Sequence, residues 1–368
     1  MSLEKSIVDR AINLLSQKLL AMIEENGAFT YRFNLNPKVK VPERYNWLRH
    51  YGALFSLCQA ASNAPSMDQT QSILNGFDYA KEKCIAPVVG IPNSFGVWSR
   101  PEIEPTVSAE AIKLGGVGLA LVAYCEANKD GVIQADLNLL TQLANFLEHM
   151  QREDGGFHSK YFKEGGASSE WVSLYYPGEA ALGLTELFLI SKDARWLEIA
   201  QNSLLYLEKS RRGQSSVPAD HWALIATGRI WKLVDEETQH LLHAHLAAVV
   251  KSILSEQVTG TNTIADGCFT PDGRTTPTST RLEGLIAAYP IIDDARLASK
   301  TRAAIELGME FLASAVEGSG PQSGAFPRAI ATINSNHPDA PKFNKRATEV
   351  RIDYIQHALS AFIGYRQL

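Results

Sequence analysis

Cysteine is scarce and unpaired in this sequence. Four residues in 368, Cys58, Cys84, Cys125 and Cys268, stand apart, and no two have CxxC spacing. That excludes a sequence-local zinc site, so no metal and no cofactor is expected. Charge of one sign is also scarce: 35 Lys and Arg face 40 Asp and Glu, for a net charge of −5, and no basic run forms a stripe. Duplex nucleic acid is thereby excluded as a partner. No apolar run approaches the roughly 20 residues of a bilayer span, which excludes the membrane. Glu4, Lys5, Asp9 and Arg10 interrupt the start, where a signal peptide would be apolar. Cys58 and Cys125 sit inside apolar helical runs as small hydrophobes. Together these absences predict a reducing, cytoplasmic setting.

What remains is ordinary globular composition, 45% hydrophobic and 20% charged, enough for a large core. The apolar residues recur at helical spacing, as in Ile7, Ala11, Leu14, Leu15, Leu19 and Met22. Six times, one helical stretch ends and another opens on a polar or charged group. The openings lie at 45–50, 108–113, 175–179, 218–222, 279–283 and 351–357, each followed by a helix rich in Ala, Leu and Gly. The pattern predicts six helical hairpins, pairing residues 4–25 with 46–62 first and 297–316 with 350–365 last. The long connection before the second opening carries Pro87, Pro92, Gly96, Trp98, Pro101 and Pro105, and its aromatics predict an ordered loop.

Part of the pattern repeats in sequence. Leu147, Met150, Glu153, Gly155 and Phe157 echo Leu19, Met22, Glu25, Gly27 and Phe29 at the same offsets. Gly324-Ala325-Phe326 and Gly267-Cys268-Phe269 echo the end of the run. Such self-similarity marks stacked supersecondary units. An open solenoid needs polar terminal caps. The last helix, with Ala358, Leu359, Ala361, Phe362 and Ile363, is as apolar as the central ones. It needs neighbours on both sides, so the expected fold is all-α: a closed (α/α)6 toroid of six helical hairpins, with residues 1–368 as one domain.

The run from Leu143 to Phe157, with Gln151, Gly155 and Gly156, resembles the Gln-and-aromatic repeat of terpenoid cyclases and protein prenyltransferases, which are α/α toroids. The whole pattern resembles the six-hairpin glycosidase group, a ring of twelve helices with its cleft at the N-terminal ends of the inner helices. The cyclase acid motif Asp-x-Asp-Asp is missing, since Asp293-Asp294 is only a pair. No zinc-ligand set of the prenyltransferases or lanthionine cyclases can be assembled. The resemblance therefore implies a carbohydrate-active enzyme of hydrolase, lyase or epimerase type. A non-catalytic toroid that binds a small ligand or a peptide is the alternative.

In such a ring the inner helices run parallel and their N-termini gather at one mouth. Glu179, Asp353, Glu283 and His221 are the candidate catalytic groups, because acid-base chemistry on sugars uses carboxyl pairs or a His beside a carboxyl. Arg49, His50, Trp98, Tyr176, Asp220, Arg281, Arg351, Gln356 and His357 are the candidate substrate-binding residues. Arg fits a ligand carboxylate or phosphate, and the aromatics fit a flat ligand face. The expected ligand is a small molecule, a sugar or an acidic sugar. Structural roles compete at each position. Thr280 and Glu283 match a capping box, and Asp220 stands where an N-cap would. His50 suits a satisfied interior histidine. Asp353 with Gln356 and His357 forms either a cleft cluster or a network closing the last helix on the first.

Overall fold

The computed structural model describes residues 3–61, 67–168, 170–261 and 263–368. Six helices form an inner ring: α2 (Trp47–Ala61), α4 (Leu114–Lys129), α6 (Tyr176–Ser191), α8 (His221–Ile230), α10 (Thr275–Ala288) and α13 (Ile352–Arg366). Six more wrap them outside: α1 (Lys5–Leu20), α3 (Met67–Cys84), α5 (Leu137–Met150), α7 (Ala194–Arg211), α9 (Glu236–Glu256) and α11 (Ala295–Ala315). A short helix, α12 (Ala340–Ala347), lies in the connection before α13.

Burial separates the two rings as the sequence pattern predicts. α1 buries a stripe of Val8, Ala11, Ile12, Leu15 and Leu19, leaving its other face in water. α4 is buried on all sides from Leu114 to Ala127, as a charge-poor helix inside a ring must be. Neighbouring inner helices touch in sequence order, and α13 packs against α2, which closes the circle. The fold is the (α/α)6 toroid.

The repeated glycine turn is the seam between outer helices. Gly27, Gly155, Gly267 and Gly324 all have positive φ. Each turn presses on the backbone of another outer helix, near Asn75, Asn202, Leu307 and Leu14 respectively. The phenylalanine two residues later is buried in each case, Phe29, Phe157, Phe269 and Phe326. Gln151 and Gln257 fasten two of these seams, donating from Nε2 to the Ile199 and Ala304 carbonyls. The Gly324 turn against α1 joins the last outer helix to the first.

Short strands line the outer-to-inner connections. β1 (Arg32–Asn34) pairs antiparallel with β7 (Glu349–Arg351), Phe33 opposite Val350. β2 (Ile85–Pro87), β3 (Phe95–Ser99), β4 (Ala111–Lys113), β5 (Lys160–Phe162) and β6 (Gly166–Ser168) form one antiparallel sheet in that order. This corrects the second opening. Residues 111–113 are a strand between β3 and β5, so α4 starts at Leu114 rather than near 108. The connection is ordered, as expected: buried Glu104 accepts from the Trp47 N–H and the Ser99 hydroxyl and pairs with Lys113. A second correction concerns α10, which starts at Thr275 instead of about 280. Thr280 and Glu283 therefore sit inside the helix. The Thr280 hydroxyl donates to the Pro277 carbonyl, so no capping box forms.

Candidate active-site cleft

Most outer helices are capped by a side chain and most inner helices are not, with α1 and α8 the exceptions. Outer helices α5, α7, α9 and α11 each open on an aspartate that accepts a backbone N–H: Asp136, Asp193, Asp235 and Asp294. Inner helices α4, α6, α10 and α13 have no side-chain cap. The N-terminal ends of the inner helices gather at the mouth, where a cleft of about 450 Å³ opens. All six inner helices line it, mostly through their first turns. Larger grooves of about 690 and 740 Å³ lie elsewhere, beside α1 and between α9 and α11, and gather no comparable set of buried titratable groups.

His221 opens α8 and is 3% exposed, yet neither ring nitrogen has a hydrogen-bond partner within the protein. Burial, then His357 and Arg281, hold it well below the usual imidazole range. It is neutral at neutral pH, with one lone pair available. His357, from α13, lies with its ring 5.5 Å from that of His221. Its Nδ1 is 2.7 Å from Glu283 Oε2 of α10. Burial pushes the Glu283 carboxyl up, against the pull of His357; when Glu283 is ionised it only accepts, and Nδ1 then carries the proton and leaves Nε2 outside the pair. The Gln356 amide lies 3.2 Å from the same Nδ1.

Glu179, in the first turn of α6, has a buried Oε2 without a partner. Burial, and then Asp220, push its carboxyl up to about 8 against the pull of Arg49. It therefore keeps its proton at neutral pH. Gly115 makes room for it, since a Cβ there would lie 1.8 Å from Glu179 Oε2. Asp353 is the opposite case. Burial pushes it up, but Arg351 and Arg49 outweigh burial and hold it well below the carboxylate range. Arg49 Nε donates to its Oδ2 at 2.9 Å, and Arg351 grips both oxygens. Asp353 is thus a fixed anion that organises two arginines.

Arg49, Tyr176, Glu179, His221, Arg281, Arg351, Asp353, Gln356 and His357 all lie on the one cleft. Arg281 is tethered to Glu256 at 2.9 Å. Glu283 stands behind His357 and acts through it. Three expected binding residues lie elsewhere and are corrected. His50 is fully buried, bonded to the Tyr45 hydroxyl at 2.8 Å and the Gly76 carbonyl at 2.9 Å. Asp220 caps α8 by accepting from Ala223 and is paired with Arg211, fully buried. Trp98 is a buried strand residue opposite Ile112.

The cleft also contains residues absent from the sequence expectation, above all Arg274, Arg328 and Arg346. Arg328 lies in the loop after α11 and Arg346 in the last turn of the short α12, both away from the opening of an inner helix. Their shared charge was the only signal. His221, Glu283 and His357 offer ligand atoms within 4.8 Å of one another, the kind of trio that could hold a metal. They come from three helices, so no ligand spacing announces them.

No family model matches the chain, and no curated protein matches it by sequence. Solved structures do. The crystal structure of D-mannose isomerase is similar over 99% of this chain and 98% of its own, with 12% identity and a TM-score of 0.68. Cellobiose 2-epimerase from Bacillus thermoamylovorans covers 98% of this chain and 99% of its own, with 11% identity and a TM-score of 0.69. An unsaturated glucuronyl hydrolase specific for heparin covers 99% and 98%, with 11% identity and a TM-score of 0.65. At these identities the likeness is one of fold: the chain shares the six-hairpin α/α toroid of these proteins over its full length.

Proposed function

We propose that the protein is a carbohydrate-active enzyme that moves a proton beside a sugar carbonyl, as an isomerase or epimerase does. The observation that carries this is His221, a buried, neutral imidazole with both nitrogens unpartnered, beside a second imidazole anchored on a carboxylate. A neutral imidazole is a base suited to neutral pH. An open-chain sugar would place the carbon next to its carbonyl over the two rings. One imidazole takes the C–H proton, and the bonding electrons pass to the carbonyl oxygen, giving an enediolate. Glu179 keeps its proton and supplies a hydrogen bond to the oxygen that gains charge. Return of the proton to the neighbouring carbon, with the hydroxyl proton passing from one oxygen to the other, interconverts aldose and ketose. Return to the same carbon on the other face inverts it.

Hydrolysis suits the geometry less well. It needs two carboxyl groups free to act. Asp353 is held by two arginines and Glu283 by His357, which leaves Glu179 alone. The fold is also that of a D-mannose isomerase and a cellobiose 2-epimerase, which adds analogy and no more.

The test is solvent exchange. The protein is incubated in D2O with a panel of aldoses and ketoses and followed by NMR. Deuterium should enter beside the carbonyl, and His221→Asn and His357→Asn should stop it while melting close to wild type. Chelator treatment should leave the rate unchanged. A loss restored by a divalent ion would instead make His221, Glu283 and His357 a ligand set. Glycoside cleavage without exchange would sink the proton-transfer reading. A sugar bound but never altered would favour the binding toroid.

A further inference from the structure

Six arginines line the cleft: Arg49, Arg274, Arg281, Arg328, Arg346 and Arg351. Only two acidic residues share that lining, Glu179 and Asp353, and Glu179 keeps its proton at neutral pH. The whole chain has a net charge of −5, so this is a local concentration of positive charge. Most of these guanidinium groups have a carboxylate. Arg49 and Arg351 share Asp353, Arg281 has Glu256, Arg274 has Asp272, and Arg346 has Glu349. Glu349 is shared again, with Arg32.

Arg328 is the exception. Among the described residues no carboxylate lies within ion-pair distance of it, and its Nη1 is buried without a hydrogen-bond partner in the protein. Its guanidinium rests on the Phe343 ring, 4.7 Å from the centroid. Burial lowers its pKa, Tyr354 and Asp272 oppose that, and Arg346 and Arg274 push it further down. Backbone contacts hold this crowding in place. Thr275 N–H donates to the Arg328 carbonyl at 3.0 Å, the Thr275 hydroxyl to Pro327 at 2.7 Å, and Arg328 N–H to Glu349 at 2.8 Å. Here three guanidinium groups (Arg274, Arg328, Arg346) face two carboxylates, Asp272 and Glu349, and Glu349 is shared with Arg32. Like charges fixed together with one donor left over make a site that is incomplete without an anion.

We infer that the substrate is an anionic sugar, whose phosphate, sulfonate or carboxylate group seats on Arg328 between Arg274 and Arg346 while its carbonyl end reaches the two imidazoles. The substrate class rests on the proton-transfer reading of the same cleft, but the anion seat does not. Arg328 is a binding residue in this arrangement. Its role is to fix the far end of an open chain so that the reacting carbon lies over His221. The uncapped N-termini of α10 and α13 add partial positive charge from the same side.

Equilibrium binding tests the seat independently of turnover. Calorimetric titrations compare a hexose 6-phosphate, a hexuronate and the parent hexose. One of the two anionic sugars should bind at least roughly tenfold tighter than the hexose, with an advantage that shrinks as salt rises. Which of the two it is separates a tetrahedral anion from a planar one. Arg328→Leu should remove the advantage, and Arg328→Lys should keep part of it, with both variants melting like wild type. His221→Asn should keep the binding advantage and lose deuterium exchange. No preference for either anionic sugar, or a preference that survives Arg328→Leu, overturns the inference. Preference intact but no exchange in wild type would remove the proton-transfer reading and leave the anion seat standing.

Discussion

Glu179 and Asp353 both sit buried in the first turn of an inner helix, and their surroundings drive them in opposite directions. Glu179 lacks a partner on Oε2 and is pushed from 4.5 to about 8. Between those values the folded chain holds a proton that the unfolded chain has released. Stability therefore falls as pH rises through that window and levels off above it. Glu179→Gln should melt like wild type near pH 4 and above it by pH 8, with exchange activity reduced, because the amide N–H is a weaker donor to the charged oxygen. Asp353 has its pKa depressed, so its contribution is present above the ordinary 3.8 and lost as pH falls through the lower folded value. Asp353→Asn leaves Arg49 and Arg351 without their carboxylate and should cost about 3 kcal/mol at neutral pH, shrinking in acid. Thermal melts of both variants across pH decide. If the two shift the same way, the opposite roles are wrong.

At the scale of elements, helical periodicity predicted nearly every helix, because the burial that drives folding is written in the spacing of apolar side chains. α2, α11 and α13 match the expected bounds to within two residues at each end. Two starts were misplaced where tertiary structure overrode local pattern. Pairing to β3 and β5 took residues 111–113 from α4, and α10 gained a turn that made Thr280 and Glu283 interior. The glycine turns were visible as a repeat, but their role as seams needed the facing backbone. Gly324 shows this most sharply. It has φ +78°, and a Cβ would lie 2.1 Å from the Leu14 carbonyl oxygen. Gly320 has φ +74° and open space around it. Gly320→Ala should cost about 1 kcal/mol for backbone strain alone. Gly324→Ala should cost about 3 kcal/mol or more, since α11 must lift from α1. Urea unfolding of the two variants measures the difference, and equal losses would mean that the seam adds nothing.

On the scale of the molecule, the site exists only because the ring closes. His357 and Glu283 are 74 positions apart in sequence, and Arg49 and Asp353 are 304 apart. Equivalent openings in successive hairpins were enough to predict that such residues share a mouth. They were not enough to say which would pair, which would cap and which would stay free, because that depends on rotation about each helix axis. Hence Asp220 and His50 were assigned to the cleft and lie inside the protein. Arg328, in a loop, and Arg346, in the short α12, carried no periodic signal at all. Closure also bears on cooperativity. An open array of hairpins unfolds from its ends, each unit sensing only its neighbours. Here α1 packs on α13 and α11, and α13 on α2, so no hairpin is terminal. We expect residues 1–368 to behave as one folding unit. Hydrogen exchange in rising denaturant should show α2, α6, α10 and α13 losing protection together, and Gly324→Ala should move all four by the same amount. If α6 and α7 stay protected after α1 and α13 have opened, the ring behaves as an open solenoid whose ends merely touch.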